Sequence, residues 1–221
     1  MVSVAACHPA LADRSRIADE ADVVDFGDCD VETTFERRAA RGVVPEHGVS
    51  TRLNCGIGWR TEVAAAFARR RSDGARDETI DAEAKTALRE RGIDRVGWTL
   101  AYGIGGERVG GGPWRRSEHF IAVETTLAPA RDWLIEAKLG TARDHIARSD
   151  RTLWTLAVEH AITEAVETLA EVAGDDRRRP QVSVGLRYIV WPEHALVSLS
   201  YGASTGPLRE RRLGLGVTFE F

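Results

Sequence analysis

From Cys29 onward, apolar residues alternate with polar or small ones in short runs separated by turn residues. A period of two marks strands with two unlike faces. The runs are approximately 29–37, 49–57, 60–69, 79–89, 96–104, 118–127, 133–141, 152–160, 166–173, 181–190, 194–202 and 212–221. They predict an all-β chain of about 12 strands, an even number. The connections alternate in length. One set is short: Gly58-Trp59, ERGIDR, APARD, ITEA and WPEH. The other is longer and polar: RAARGVVPEHG, RRSDGARDE, GGERVGGGPWRRS, ARDHIARSDR, GDDRRRP and ASTGPLRERR. Short turns at one end and longer loops at the other are the layout of an antiparallel transmembrane β-barrel of the outer-membrane type.

The two faces of these strands differ in kind. One carries residues such as Phe67, Ile80, Trp98, Tyr102, Leu139, Tyr188 and Leu215. The other carries Glu32, Arg52, Glu62, Asp81, Glu83, Lys85, Arg89, Glu124, Glu136, Lys138, Glu159 and Arg187. Mid-strand charges are costly in a dry core and tolerable in a wet lumen, so these residues are expected to line the barrel interior. Acids outnumber bases on that face once Glu36, Glu167, Glu171, Glu220 and Arg212 are included. An open lumen would then prefer cations weakly. Eight strands give a filled interior and 16–18 a channel, so the strand number alone leaves the lumen open or plugged by side chains. A soluble barrel with its apolar face inward, binding an apolar ligand, has the same period. The period does not say which face is inside.

Charge and cysteines sharpen the picture. The formal net charge is -4, and no Lys/Arg-rich block forms a phosphate-binding face, so no nucleic-acid partner is expected. No run of 18 apolar residues exists, so no helix of membrane-spanning length is expected; this does not bear on strands. Residues 1–12 are mostly small and apolar, and Ala10-Leu11-Ala12 matches a signal-peptidase pattern. They read as a truncated signal peptide without its basic segment, followed by a periplasmic leader at 13–28 and a barrel domain at 29–221. Cys7 would leave with the signal. Cys29 and Cys55 have their midpoint at residue 42, inside a predicted hairpin loop. That places them opposite each other on one face, where an exported protein would form a disulfide.

Some segments are ambiguous. TLWTLAVEHAITEAVETLAEVAG at 152–174 is rich in Ala, Glu and Leu, and Ile162, Val166, Leu169 and Val172 keep helical spacing. Ala64–Arg71 has the same ambiguity. The turn ITEA keeps the short-long alternation, which favours two strands. No catalytic residues emerge. His119 and His160 fall at strand ends with no G-x-S-x-G elbow nearby, so an outer-membrane lipid hydrolase is a weak reading. No His/Cys cluster has metal-ligand spacing, and neither a metal nor a cofactor is expected. The Gly-rich GIGGERVGGGPW is followed by no helix that would present its N-terminus to a phosphate, and reads as an external loop.

DVVDFGDCDVETTFER, LNCGIGWRTEV and the closing VSVGLRYIVWPEHALVSLSYGASTGPLRERRLGLGVTFEF resemble the outer-membrane barrels of the meta-pathway phenol-degradation, or transporter-like, family. The resemblance spans roughly residues 24–221. It implies a bacterial outer-membrane location, surrounding membrane lipid, and passive transport of small, hydrophobic or aromatic solutes. It also implies that Phe219 and Phe221 form a terminal signal read by the barrel-assembly machinery. No catalytic motif comes with it.

Overall fold

In a computed structural model that describes residues 23–90, 96–192, 194–206 and 209–221, the chain closes on itself as a single sheet. The signal segment 1–12 and most of the leader lie outside the described residues. The strands are β1 Cys29–Ala39, β2 Glu46–Gly58, β3 Thr61–Ser72, β4 Ala75–Arg89, β5 Val96–Arg108 and β6 Arg115–Ala130. They continue as β7 Trp133–Asp144, β8 Ser149–Thr163, β9 Val166–Asp175, β10 Arg178–Trp191, β11 Ala195–Ser204 and β12 Arg211–Glu220. Each pairs antiparallel with its neighbours in sequence, and β12 returns to β1 from Asp30↔Glu220 to Ala39↔Arg211. The seam ends in two further bonds: Cys29 N–H donates to the Phe221 carbonyl at 2.8 Å, and Phe221 N–H donates to the Cys29 carbonyl at 2.9 Å. Among the described residues no strand edge is left free, which is what a spanning sheet requires.

The helix-like segment forms β8 and β9. Its apparent helical stripe mixes faces: Val166 and Val172 share the outer face of β9, whereas Leu169 turns inward and is buried. Cross-strand pairing overrides the helix preference of Ala, Glu and Leu. Ala64–Arg71 likewise lies in β3.

The loops are shorter than the sequence pattern suggests. RRSDGARDE contracts to Asp73-Gly74, with φ of 46° and 78°, the primed turn that matches strand twist. ARDHIARSDR contracts to residues 145–148. The strands continue past the apolar band into water. There outward positions become charged, so the alternation ends before the backbone pairing does.

Burial settles which face is inside. Leu139 on the outer face is 63% exposed, while Glu124 on the inner face is 1% exposed. The outer surface is an apolar band that includes Phe67, Ile80, Ile104, Leu156, Val184 and Leu215, all exposed. A soluble barrel with an apolar interior is therefore not what forms: the charges are inside and the oil is outside. The inward apolar clusters are small: Ala101, Phe120, Ala122 and Ala142 with Leu153 against them, and Ala157 with Leu169. Trp98, Trp133, Tyr188, Trp191, Phe219 and Phe221 are exposed near the end that carries both described chain ends. Aromatic side chains there suit a membrane–water boundary.

Cys29 and Cys55 are direct cross-strand partners joined by a disulfide, with their Cα atoms 4.2 Å apart. Such spacing belongs to the narrow kind of antiparallel pair, so the strands need not shift to admit the bridge.

Candidate functional site: the barrel lumen

Inward positions are fixed by register. In β1 and β2 the even-numbered residues point inward, and the same phase runs through β3 (Glu62, Ala64, Ala66). It crosses to odd numbers in β4 and β5, back to even in β6 and β7, and to odd in β8 through β10. Glu32, Glu62, Glu83, Lys85, Glu124, Glu136 and Glu159 are all buried on this face. Arg52, Asp81, Lys138 and Arg187 lie on it half-buried.

Arg89 is the exception among the residues expected inside. A bulge between Ala87 and Arg89 breaks the phase and places Arg89 opposite the outward-facing Trp98, exposed at the strand end. A single inserted residue re-aims everything beyond it.

The charges meet across strands. Asn54 Nδ2 donates to Asp30 Oδ1 at 2.7 Å, Arg52 Nε donates to Asn54 Oδ1 at 2.7 Å, and Arg52 Nη2 reaches Glu83 Oε2 at 3.1 Å. That chain passes from β1 to β4 over β3, whose inward Ala64 and Ala66 are too short to obstruct it. Lys138 Nζ lies 2.5 Å from Glu124 Oε1, directly across the β6–β7 pair, and 5.5 Å from the centroid of the Phe120 ring. Lys85 lies 3.8 Å from Glu62. Arg187 bridges Glu167 at 3.0 Å and Glu159 at 3.4 Å, and Arg212 approaches Glu36 at 3.5 Å. Arg38 also pairs with Glu36, and Arg151 with Glu118. Desolvated charges persist when opposite charges and hydrogen bonds surround them.

The lumen is not filled evenly. Asn54, Thr99, Glu124 and Thr126 are fully buried, so side chains fill the interior around these positions of β2, β5 and β6. Along β9 to β11, Glu167, Glu171, Gly185, Arg187, Ser198 and Ser200 stay partly accessible although their register points them inward. Small inward residues, Gly185, Ser198 and Ser200, lie there beside the long Glu167, Glu171 and Arg187, and Gly214 and Gly216 continue them in β12.

The described end of the leader also enters this space. Val24 N–H donates to Glu62 Oε2 at 3.1 Å, and Phe26 bridges Gly56 in parallel. A Cβ at Gly56 would collide with the carbonyls of Val24 and Asp25, so a glycine is required where the segment crosses.

Several lumen residues were not singled out by sequence: Asp30, Asn54, Glu118, Phe120, Arg151 and Asp175. Phe120 shares the phase of Glu118 and Glu124, and Gly103 lies directly across from it; those two facts were its signal. The two histidines lie on neither side of any ion-pair chain in the lumen. His119 Nδ1 is 2.8 Å from His145 Nε2, and His160 Nε2 is 3.2 Å from Asp132 with its ring stacked on Trp133.

The family model described as "Uncharacterised conserved protein UCP029691" matches residues 1–221. The chain belongs to that family. No curated protein matches it. Among solved structures, it is similar to the COG4313 outer membrane channel from Pseudomonas putida F1, with TM-score 0.64 and 9% identity over 92% of this chain and 99% of that one. It is also similar to KdgM porin in complex with disordered oligogalacturonate, with TM-score 0.62 and 10% identity over 86% and 99%. NanC porin gives TM-score 0.61 and 13% identity over 86% and 98%. At these identities the likeness is one of fold, and that fold is the outer-membrane β-barrel. That match does not confirm the meta-pathway phenol-degradation family that residues 24–221 resemble.

Proposed function

We propose that the protein is a narrow passive channel of the bacterial outer membrane, admitting small hydrophilic solutes with a weak preference for cations. The observation that carries this reading is the partly accessible inner wall of β9 to β11, where Glu167, Glu171, Ser198 and Ser200 face the interior without being sealed. Accessibility at these inward positions leaves room for water beside the buried Leu169 and Ser183. An ionic lining favours hydrophilic solutes over the aromatic compounds implied by the family resemblance. The likeness to two porins and an outer-membrane channel supports the channel class. No catalytic role is assigned to His119 or His160.

The test is planar-bilayer conductance of the purified barrel under a salt gradient. The expected result is a small conductance with a cation-selective reversal potential. Ser200→Trp should lower the conductance, and E167Q/E171Q should move the reversal potential toward zero. A folded barrel without conductance, or with anion preference, overturns the proposal.

A further inference from the structure

Glu78 breaks the phase of the charges on β4. The inward residues there are odd-numbered, yet Glu78 is on the outer face and its side chain is only 2% exposed. Arginines cover it. Arg69 sits directly opposite on β3 and Arg108 directly opposite on β5, while Arg76 reaches it along β4. Arg69 Nε is 3.3 Å from Glu78 Oε1, Arg76 Nε donates to that oxygen at 2.7 Å, and Arg108 Nε donates to Oε2 at 2.7 Å. The three arginine side chains remain 38%, 42% and 34% exposed.

The location gives the cluster its meaning. The next outward rung toward the chain ends is Phe67↔Ile80↔Gly106, at the edge of the apolar band. Successive same-face residues lie about 7 Å apart along a strand. The guanidiniums therefore sit one rung above hydrocarbon, at headgroup height, on the lipid-facing surface. Arg69 lies 5.9 Å from the Phe67 ring centroid and Arg108 lies 5.2 Å from that of Trp114, which ties the cations to the boundary. Three guanidiniums against one carboxylate leave a net positive charge. Each guanidinium carries five donors, more than Glu78 occupies. The other end of the barrel differs, with Trp98, Trp133, Tyr188 and Trp191 at its rim. A cationic patch at one end and a group of aromatic side chains at the other fit a bilayer whose two leaflets differ in charge.

We propose that Arg69, Arg76 and Arg108, held together by Glu78, bind the phosphate groups of a phosphorylated glycolipid in the outer leaflet. Glu78 pre-positions the guanidiniums, so little side-chain order is lost on binding. Bidentate donation to phosphate supplies the affinity. The inference rests on the outer-membrane placement and is independent of conduction.

The experiment measures lipid retention by native mass spectrometry of the full barrel, purified in detergent and mixed with bisphosphorylated lipid A. Folding is checked separately by heat-modifiable gel mobility. Retention should fall about tenfold in R76Q/R108Q, while R76K/R108K should keep more of it than the glutamine pair. Dephosphorylated lipid A should be retained as poorly by the wild type as lipid A is by R76Q/R108Q. Equal retention by wild type and R76Q/R108Q, with both folded, overturns the site. Equal retention of the dephosphorylated lipid overturns it too, by showing that acyl contact alone suffices. Full competition by millimolar inorganic phosphate would identify a free-anion site and overturn the lipid assignment.

Discussion

Phe120 lies inside the barrel directly across from Gly103 on the neighbouring strand, and its ring occupies the space that a side chain at 103 would need. The pair fits one large residue against none. Gly103→Val should force Phe120 out of its rotamer and cost about 1–3 kcal/mol. Urea unfolding in detergent should show the loss as a lower midpoint with an unchanged slope. Adding Phe120→Ala to that variant should recover part of it, because the ring is the nearest obstacle, while the Ala82 carbonyl, 2.9 Å from a Cβ at 103, remains. A variant with the wild-type midpoint would show that the interior yields more readily than its packing implies.

Lys138 and Glu124 form a directly facing ion pair in the lumen, with Glu124 fully buried. Lys138→Met removes that cation from a buried carboxylate and should destabilise the barrel by about 3–5 kcal/mol. The double variant K138M/E124L should be closer to wild type than the single one, since it removes both charges together. The comparison is again of unfolding midpoints. If the single and double variants unfold alike, the pair contributes little and the cost lies in lost packing against Phe120.

The strand pattern was legible because a period of two survives burial on either face. Strand number follows from it, the up-and-down order follows from the alternating connection lengths, and the cysteine pairing follows from hairpin geometry. Which face is inside was not legible, because alternation is symmetric under exchange of faces; the exposed Leu139 and buried Glu124 decide it. Arg89 was misplaced because a bulge has no hydropathy signal. Glu78 was passed over because the segment around it reads as loop chemistry, although it continues the strand. Phe120 was passed over because a large apolar residue in a polar phase looks like noise until its glycine partner is placed opposite.

The Cys29–Cys55 bridge closes a loop with a sequence separation of 26 between strands that already pair. In the chain-entropy account, a loop of that length adds roughly 3–4 kcal/mol by restricting the unfolded chain. C29S/C55S should therefore fold and keep heat-modifiable mobility, while its urea midpoint falls. Reducing agent should lower the wild-type midpoint and leave the double variant unchanged. A variant that no longer folds would mean that the bridge is needed to bring β1 to the seam rather than to stabilise the closed sheet.

Phe221 makes its two seam hydrogen bonds through its backbone, and its side chain is 69% exposed. Side chain and backbone can therefore be separated. Phe221→Ala keeps both backbone bonds and should refold into detergent with nearly the wild-type midpoint. Deleting the residue removes both bonds and should cost about 1–3 kcal/mol at the seam. In cells the order should invert in emphasis: if the terminal aromatic is the group recognised during assembly, Phe221→Ala should be depleted from the outer membrane about as severely as the deletion, although its folded stability is intact. The measurement is the heat-modifiable fraction in membranes against the same fraction refolded in vitro. Normal membrane levels of Phe221→Ala would assign the closing residue to the seam alone and remove it from the assembly signal.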